Sequence, residues 1–378
     1  MHRSWIISLI ALLCISILLI INLSYGNIEA NSWVTRTSMP PDSYGGQAVG
    51  VNGKIYVIGG FYGGLIYSAN NVYDPSTDNW TALTPTPEGV ITNSLVAYQN
   101  KIYSIGANTT EVYDISTDSW KAKTPMPTGT TGSGNIVNGE IYVISGYNSA
   151  NQQISINEVY NIANDSWTTK TSIPIPVSVY ASTVCDGKIY IIGGQNPSLG
   201  SSSMNVDFTQ IYDPLTDTWS MGAPMLTYVL APTAGATTGV MAPARIYLFG
   251  GFSSDTNFQS VDYHTTNLTQ VYDPKNNTWT YGAQMLSPRT DFAVANVNDK
   301  FYVLGGSNVG LGAPYVLNNE EYIPFDYNFP QQPNSTPPQS PTVPELSWLV
   351  ILPLLLSLFA VAVVLRHRKS VDGIRMRS

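Results

Sequence analysis

Few side chains between residues 31 and 345 can do covalent or redox chemistry. This stretch has one histidine, His264, one cysteine, Cys185, and three arginines, Arg36, Arg245 and Arg289. A serine or cysteine nucleophile needs a base beside it, and a redox metal favours more than one imidazole. A single histidine meets neither need. His264 shares its stretch with Asp255 and Asp262, which reads as a weak metal or acid–base group or as a plain solvated loop. Binding chemistry is better supplied. Phe61 and Tyr62, Tyr147, Gln195, Phe252 and Ser307 each follow a glycine pair or its remnant, and Tyr44, Tyr180, Tyr228, Arg289 and Asp291 lie in other connections. Aromatic rings mixed with amides and hydroxyls stack on sugar rings and equally anchor protein partners. Arg289, in SPRTDF, has the fork to hold a carboxylate bidentately, with nearby Asp291 as an internal alternative. These are the candidate binding residues. No catalytic residue, metal ligand or cofactor is expected.

The elements that carry them repeat. An apolar run ends at Gly59-Gly60, and equivalents end at Ala107, Gly146, Gly194, Gly251 and Gly306. Six tryptophans, Trp33, Trp80, Trp120, Trp167, Trp219 and Trp279, stand 47, 40, 47, 52 and 60 residues apart. A tyrosine precedes each of the last five by seven residues, at Tyr73, Tyr113, Tyr160, Tyr212 and Tyr272. A fixed unit of this size marks a repeat array. Each period reads as four strands, a to d, with a–b turns such as Asn52-Gly53 and Asp186-Gly187 and c–d turns such as Asp74-Pro75 and Asp213-Pro214. Short antiparallel sheets without a helical period predict an all-β fold, a β-propeller.

Six b strands and six c strands occur, the last c strand at Tyr322, which no tryptophan follows. The first tryptophan strand, WVTRTSMP from Trp33, has no b–c pair before it and matches WTALTPTP and WKAKTPMP. Six blades, the last completed by the N-terminal strand, leave no blade incomplete, and an incomplete blade would expose an unpaired strand edge. Between the glycine pair and the tyrosine the spacing varies from 7 to 22 residues, whereas tyrosine to tryptophan is constant. All length variation is therefore expected in the b–c loops, on the face they share with the d–a connections. Scaffolds concentrate function in such loops. The repeat tyrosines and tryptophans are expected to pack blade against blade, and Cys185 to be a small buried hydrophobe.

The Gly-Gly, Tyr, Trp signature resembles the Kelch repeat over residues 31–325. It is intact at Gly59-Gly60, Gly193-Gly194 and Gly250-Gly251 and departs at Gly106-Ala107 and Ser145-Gly146. The resemblance implies a six-bladed propeller but not an activity, because such propellers serve as enzymes and as adaptors. Kelch-like copper radical oxidases need two histidines and a cross-linked Cys–Tyr pair, whereas residues 31–345 hold one histidine, His264. Sialidase-type propellers need three clustered arginines, and only Arg36, Arg245 and Arg289 are available. Sialic-acid mutarotases are similar to six-bladed Kelch proteins, so a carbohydrate-active enzyme is the alternative to a binding module for a protein or glycan.

The ends read differently. Residues 1–26 have a basic start and an apolar run and read as a signal peptide, cut after Gly26 or Ala30, or kept as an anchor. Residues 326–345 are a Pro-rich stalk, residues 346–365 an uncharged stretch long enough for a transmembrane helix, and residues 366–378 a basic tail expected in the cytoplasm. The tail resembles prokaryotic, including archaeal, surface-protein sorting tails. Residues 31–345 carry 11 basic against 23 acidic residues, which disfavours nucleic acid as a partner. Sequons at Asn79, Asn108, Asn164, Asn267, Asn276 and Asn334 suit a glycosylated cell-surface protein.

Overall fold

The computed structural model describes residues 29–330 apart from 63–64, 88–93, 107–108, 197, 199–204, 255–262 and 309–315. The expected leader, most of the stalk, the apolar stretch 346–365 and the basic tail lie outside the described residues. Among the described residues no helix is long and apolar enough to cross a membrane.

Six four-stranded antiparallel sheets make up the fold. Blade 1 uses Gln47–Val51, Lys54–Ile58, Asn70–Asp74 and Asn79–Ala82 as strands a to d. Blade 2 uses Ser94–Tyr98, Lys101–Ile105, Thr110–Asp114 and Ser119–Lys123, and blade 3 uses Ser133–Val137, Glu140–Ile144, Asn157–Asn161 and Ser166–Thr169. Blade 4 uses Ala181–Cys185, Lys188–Ile192, Thr209–Asp213 and Thr218–Gly222, and blade 5 uses Thr233–Ala236, Ile246–Phe249, Thr269–Asp273 and Thr278–Tyr281. Blade 6 takes Ala293–Val297, Lys300–Leu304 and Asn319–Ile323 from the end of the repeat array and strand d, Ser32–Arg36, from its start. Trp33 sits opposite Tyr322 in that last pairing, so the ring closes as the sequence predicts.

Beyond its first residue strand b is apolar, Ser104 apart, because both of its faces are covered. Ile55, Val57 and Ile58 are fully buried, as are Ile141, Val143 and Ile144 two blades on. Alternate side chains go to opposite sides of a strand, so each b strand feeds two seams. The core is accordingly six separate seams, each between neighbouring blades. The seam of blades 3 and 4, for example, joins Tyr142 and Ile144 to Ile189, Ile191 and Tyr212. Cys185 is buried in the seam of blades 4 and 5.

A polar clamp recurs over every seam. The indole N–H of Trp80 donates to Thr37 O, that of Trp120 to Thr84 O and that of Trp167 to Thr124 O, each on the preceding blade. The same residue's N–H is held by an aspartate two positions before the tryptophan, as in Thr84 N to Asp118 Oδ1 and Thr124 N to Asp165 Oδ1, both 2.9 Å. The repeat tyrosine donates its hydroxyl to that same oxygen, as Tyr160 does to Asp165. Blade 6 closes with the same set, Trp33 to Ala283 O, Ala283 N to Asn31 Oδ1 and Tyr322 to Asn31 Oδ1. The repeat tyrosines and tryptophans thus lie in the seams between blades as expected, and within each blade the two ring centroids are 4.9–5.1 Å apart.

One expectation fails. Loop length varies on both faces, because blade 5 joins strands a and b through residues 237–245 where the other blades use tight turns. Buried Asp299 organises this long turn by accepting from the N–H groups of Thr238, Val240, Met241 and Ala242. The chain beyond strand c of blade 6 then lies against it, with Tyr327 packed on Ala242, Asn328 N bonded to Met241 O and Asp326 paired with Arg245.

Candidate functional site

The strands run so that a–b and c–d turns emerge on one face and b–c and d–a connections on the other. On the second face the glycine pair and the d–a corner meet back to back. A Cβ on Gly194 would lie 2.6 Å from Ser178 O, one on Gly251 2.5 Å from Leu230 O and one on Gly306 2.6 Å from Thr290 O. No side chain fits there, and the φ angles of these glycines, +96° to +97°, exclude L-residues independently. The contact is sealed by reciprocal backbone hydrogen bonds between Ser178 and Gln195, Leu230 and Phe252, and Thr290 and Ser307. Glycine signature and corner therefore build one rim.

Immediately after each of those corners the chain takes a left-handed residue, Val179, Ala231 and Asp291, and blade 1 places Gly45 in the same role. Together they line the mouth of a central cavity of about 430 Å³. Below them stand the second residues of the six a strands, Ala48, Leu95, Gly134, Ser182, Ala234 and Val294. Four of these six are Ala, Gly or Ser, which sets strand a apart from strand b: six strands converge here, and large side chains at every position would fill the channel. Gln47, Ser94, Ser133 and Thr233 add an amide and hydroxyls. Among the described residues Asp291 is the one charged residue of the lining. It faces the channel, yet the surrounding wall displaces enough water to push its carboxyl above the ordinary range. The lining offers hydrogen bonds, apolar contact and one carboxylate, which is a binding set.

The aromatic candidates divide on inspection. Tyr44, Tyr147, Gln195 and Tyr228 are half-buried on this face. The Tyr228 hydroxyl donates to Gly194 O at 3.2 Å, tying blade 5's connection to blade 4's glycine loop. Tyr180 and Phe252, 9% and 7% exposed, belong to the wall and do not present a ring to a ligand. Tyr180 donates to Ile144 O and accepts from Ser133 N, and burial pushes its hydroxyl up to about 12. Phe61 and Tyr62 form a two-residue strand paired with Leu65 and Ile66, and that hairpin exposes Leu65 by 63% and Ile66 by 47%.

Arg289 corrects the sequence reading. It points into the blade, is 0% exposed and pairs with Glu320, neither with Asp291 nor with anything in the channel. Blades 4 and 5 put buried Val177 and Val229 two residues before the left-handed rim residue, where blade 6 has Arg289. Opposite, two residues before the repeat tyrosine, strand c carries a buried polar residue that pins the incoming connection. Gln210 exchanges hydrogen bonds of 2.8 and 3.0 Å with the backbone of Ile175, and Gln270 does so with Thr227. In blade 6 this residue is the acid Glu320, and Arg289 neutralises it. The three arginines do not converge: Arg36 pairs with Glu321 on strand c of blade 6, and Arg245 pairs with Asp326 on the opposite face.

His264 sits in the short strand Tyr263–Thr265, opposite Ser253, while Asp255 and Asp262 fall outside the described residues. Of the sequons, Asn79, Asn164 and Asn276 are exposed, the amide of Asn267 donates to Met285 O, and Asn108 and Asn334 lie outside the described residues. The ring of small residues inside the channel escaped the sequence reading. Its signal was the Ala, Ser and Gly content at the second position of strand a.

Comparison with known proteins agrees with this geometry. The profile described as the KLHDC2/KLHL20/DRC7 Kelch-repeats domain matches residues 92–306, and the Kelch motif matches residues 44–87. Mouse Kelch-like protein 35 is 30% identical over 76 residues, 20% of this chain and 13% of that protein. An F-box/kelch-repeat protein of Arabidopsis thaliana is 32% identical over 94 residues, 24% and 23% of the two chains. Rat Kelch-like protein 7 is 41% identical over 59 residues, 16% and 9%. The matches span less than a quarter of each of these relatives. The structure of YjhT superposes with a TM-score of 0.63 at 15% identity, covering 75% of this chain and 95% of that one, a likeness of fold alone.

Proposed function

This chain belongs to the Kelch-repeat family, and from that premise we propose that it is an interaction module whose b–c and d–a face binds a protein partner outside the cell. The observation that carries the reading is where unsatisfied apolar surface lies. Among the described residues Leu65, Ile66, Val179, Leu226 and Leu286 are large, exposed and in connections of that face, against Leu215 and Val240 in turns of the other, and Val179 lines the mouth of the channel. Exposed apolar groups beside an adaptable polar rim are the composition of a protein interface. A sugar-transforming alternative draws no support from arginines held apart in three separate ion pairs.

The proposal includes a tether: residues 346–365 span the membrane, the tail 366–378 is cytoplasmic, and sequons such as Asn79, Asn164 and Asn276 are open to glycosylation. It is supported by where the propeller's ends leave. Asn31 and Pro324 are hydrogen-bonded to each other at the start of one strand and the end of its neighbour, on the a–b and c–d face.

Photo-crosslinking tests the reading in the full chain on intact cells. A crosslinking residue at Leu65 is expected to trap a discrete partner, whereas one at Leu215, 84% exposed on a c–d turn of the other face, is expected to trap none. Equal trapping from both positions, or from Leu215 alone, overturns it.

A further inference from the structure

We propose that the mouth of the central channel seats one basic side chain of the partner, a lysine or an arginine, with the Asp291 carboxylate as its counter-ion. The inference rests on the interaction reading above and names the chemistry the face selects. Its first support is the cavity. At about 430 Å³ it lies at the small end of ligand pockets, roughly 300–1,000 Å³, a size that suits a side chain better than a domain. The second is the isolation of the charge. Among the described residues no lysine, arginine or histidine lines the cavity, and the nearest arginine in sequence, Arg289, is turned away and neutralised by Glu320.

The third support is that the fold does not require a carboxylate there. Gly45, Val179 and Ala231 occupy the same left-handed rim position in other blades, so the backbone accepts uncharged residues at that point. An aspartate tolerates positive φ, and that is the bland account of Asp291. It leaves unexplained a carboxylate in the lining of the channel mouth with no cation beside it among the described lining residues. The fourth is the wall beneath. Leu95, Val294 and Val179 supply apolar surface for the methylene stem that lysine and arginine carry below their charge. Among the described residues the connections of this face also contain Asp42 and Asp207, against Lys170, His264 and the internally paired Arg289. A face of that sign draws basic segments toward the mouth before contact.

The test uses the purified full chain and two small probes that share a four-carbon stem and differ in the terminal ammonium, N-acetyl-lysine N-methylamide and N-acetyl-norleucine N-methylamide, followed by ligand-observed NMR. The lysine probe is expected to bind with Kd on the order of 1 mM and the norleucine probe at least tenfold more weakly. Asp291→Asn, which keeps shape and tolerance for positive φ, is expected to weaken the lysine probe tenfold or more at unchanged melting temperature. Asp42→Asn, also on this face but outside the cavity lining, is expected to leave it unchanged. Equal binding of both probes, equal binding to Asp291→Asn, or no binding to the wild type overturns the seat. The crosslink from Leu65 keeps the two readings separable. A partner trapped equally well by Asp291→Asn sinks the basic seat and leaves the interaction face standing. Lysine-probe binding that depends on Asp291, with no partner trapped from Leu65, does the reverse.

Discussion

At the residue scale, two departures from the repeat show how local chemistry is balanced. Blade 3 has Ser145 where other blades have the first glycine of the pair, and it keeps the left-handed conformation with φ at +59°. The conformational cost is offset by its buried hydroxyl, which lies 2.7 Å from Val177 O and accepts from Val177 N at 2.9 Å. Ser145→Ala keeps the strain and strands those groups, so a loss of about 1–3 kcal/mol in unfolding free energy is expected. An unchanged denaturation midpoint would remove the hydroxyl from the account. The buried pair Arg289–Glu320 gives a sharper case. Arg289→Val leaves an uncompensated buried carboxylate and is expected to cost about 3–5 kcal/mol. The double variant Arg289→Val with Glu320→Gln installs the solution blades 4 and 5 already use, and its stability in chemical denaturation is expected to return close to wild type. If the double variant is as unstable as the single one, the equivalence between blades is wrong.

Elements are held to one another by the tryptophan, aspartate and tyrosine clamp, and part of that clamp titrates. The Tyr160 hydroxyl, together with the Thr124 N–H, holds the Asp165 carboxyl down at about 2. Donation from Tyr113 and from Tyr212 likewise lowers Asp118 and Asp217. A carboxyl depressed in the folded state contributes stability that is complete above its unfolded value, near 4. That contribution drains as pH falls through the folded value. The melting temperature is therefore expected to drop between about pH 4 and pH 2. Asp118→Asn, Asp165→Asn and Asp217→Asn combined should flatten the drop, since Asn277 and Asn31 already perform the clamp without charge in blades 5 and 6. A combined variant whose acid limb matches the wild type would show that these seams are not where acid acts. Strand identity was legible because each element carries its own composition: Ile/Val/Tyr in b, tyrosine in c, tryptophan in d. The long turn of blade 5 was not, because Asp299, which organises it, lies 57 to 61 residues away in sequence.

For the whole molecule, the decisive contact joins residues 250 to 291 apart. Trp33, Asn31 and the Arg36–Glu321 pair bind the first strand to blades 5 and 6, and Lys300 reaches the same carboxylate from strand b. Deleting residues 29–36 uncovers the edge of Asn319–Ile323 and opens the seam of Trp33 on Phe249 and Tyr322. An uncovered strand edge recruits other strands. The shortened protein is expected to melt lower and to self-associate by light scattering, and a peptide of residues 29–40 added in trans should reverse both effects. Wild-type melting without the segment would mean the ring does not depend on this closure.

Periodicity by itself determined the number of blades, the strand order and the closing strand, because each repeat must bury the same faces against identical neighbours. It also marked the face with the most variable loops, since insertions are tolerated only where the backbone meets water. The direction of individual side chains was decided in three dimensions. Arg289 and Asp291, two residues apart, went to opposite fates because one turns inward to a carboxylate on strand c and the other caps a left-handed corner over the channel. Tyr180 and Phe252 joined the wall because the rim closes over them. Which groups share a cavity depends on six strands converging on one axis, and no spacing along the chain encodes that convergence.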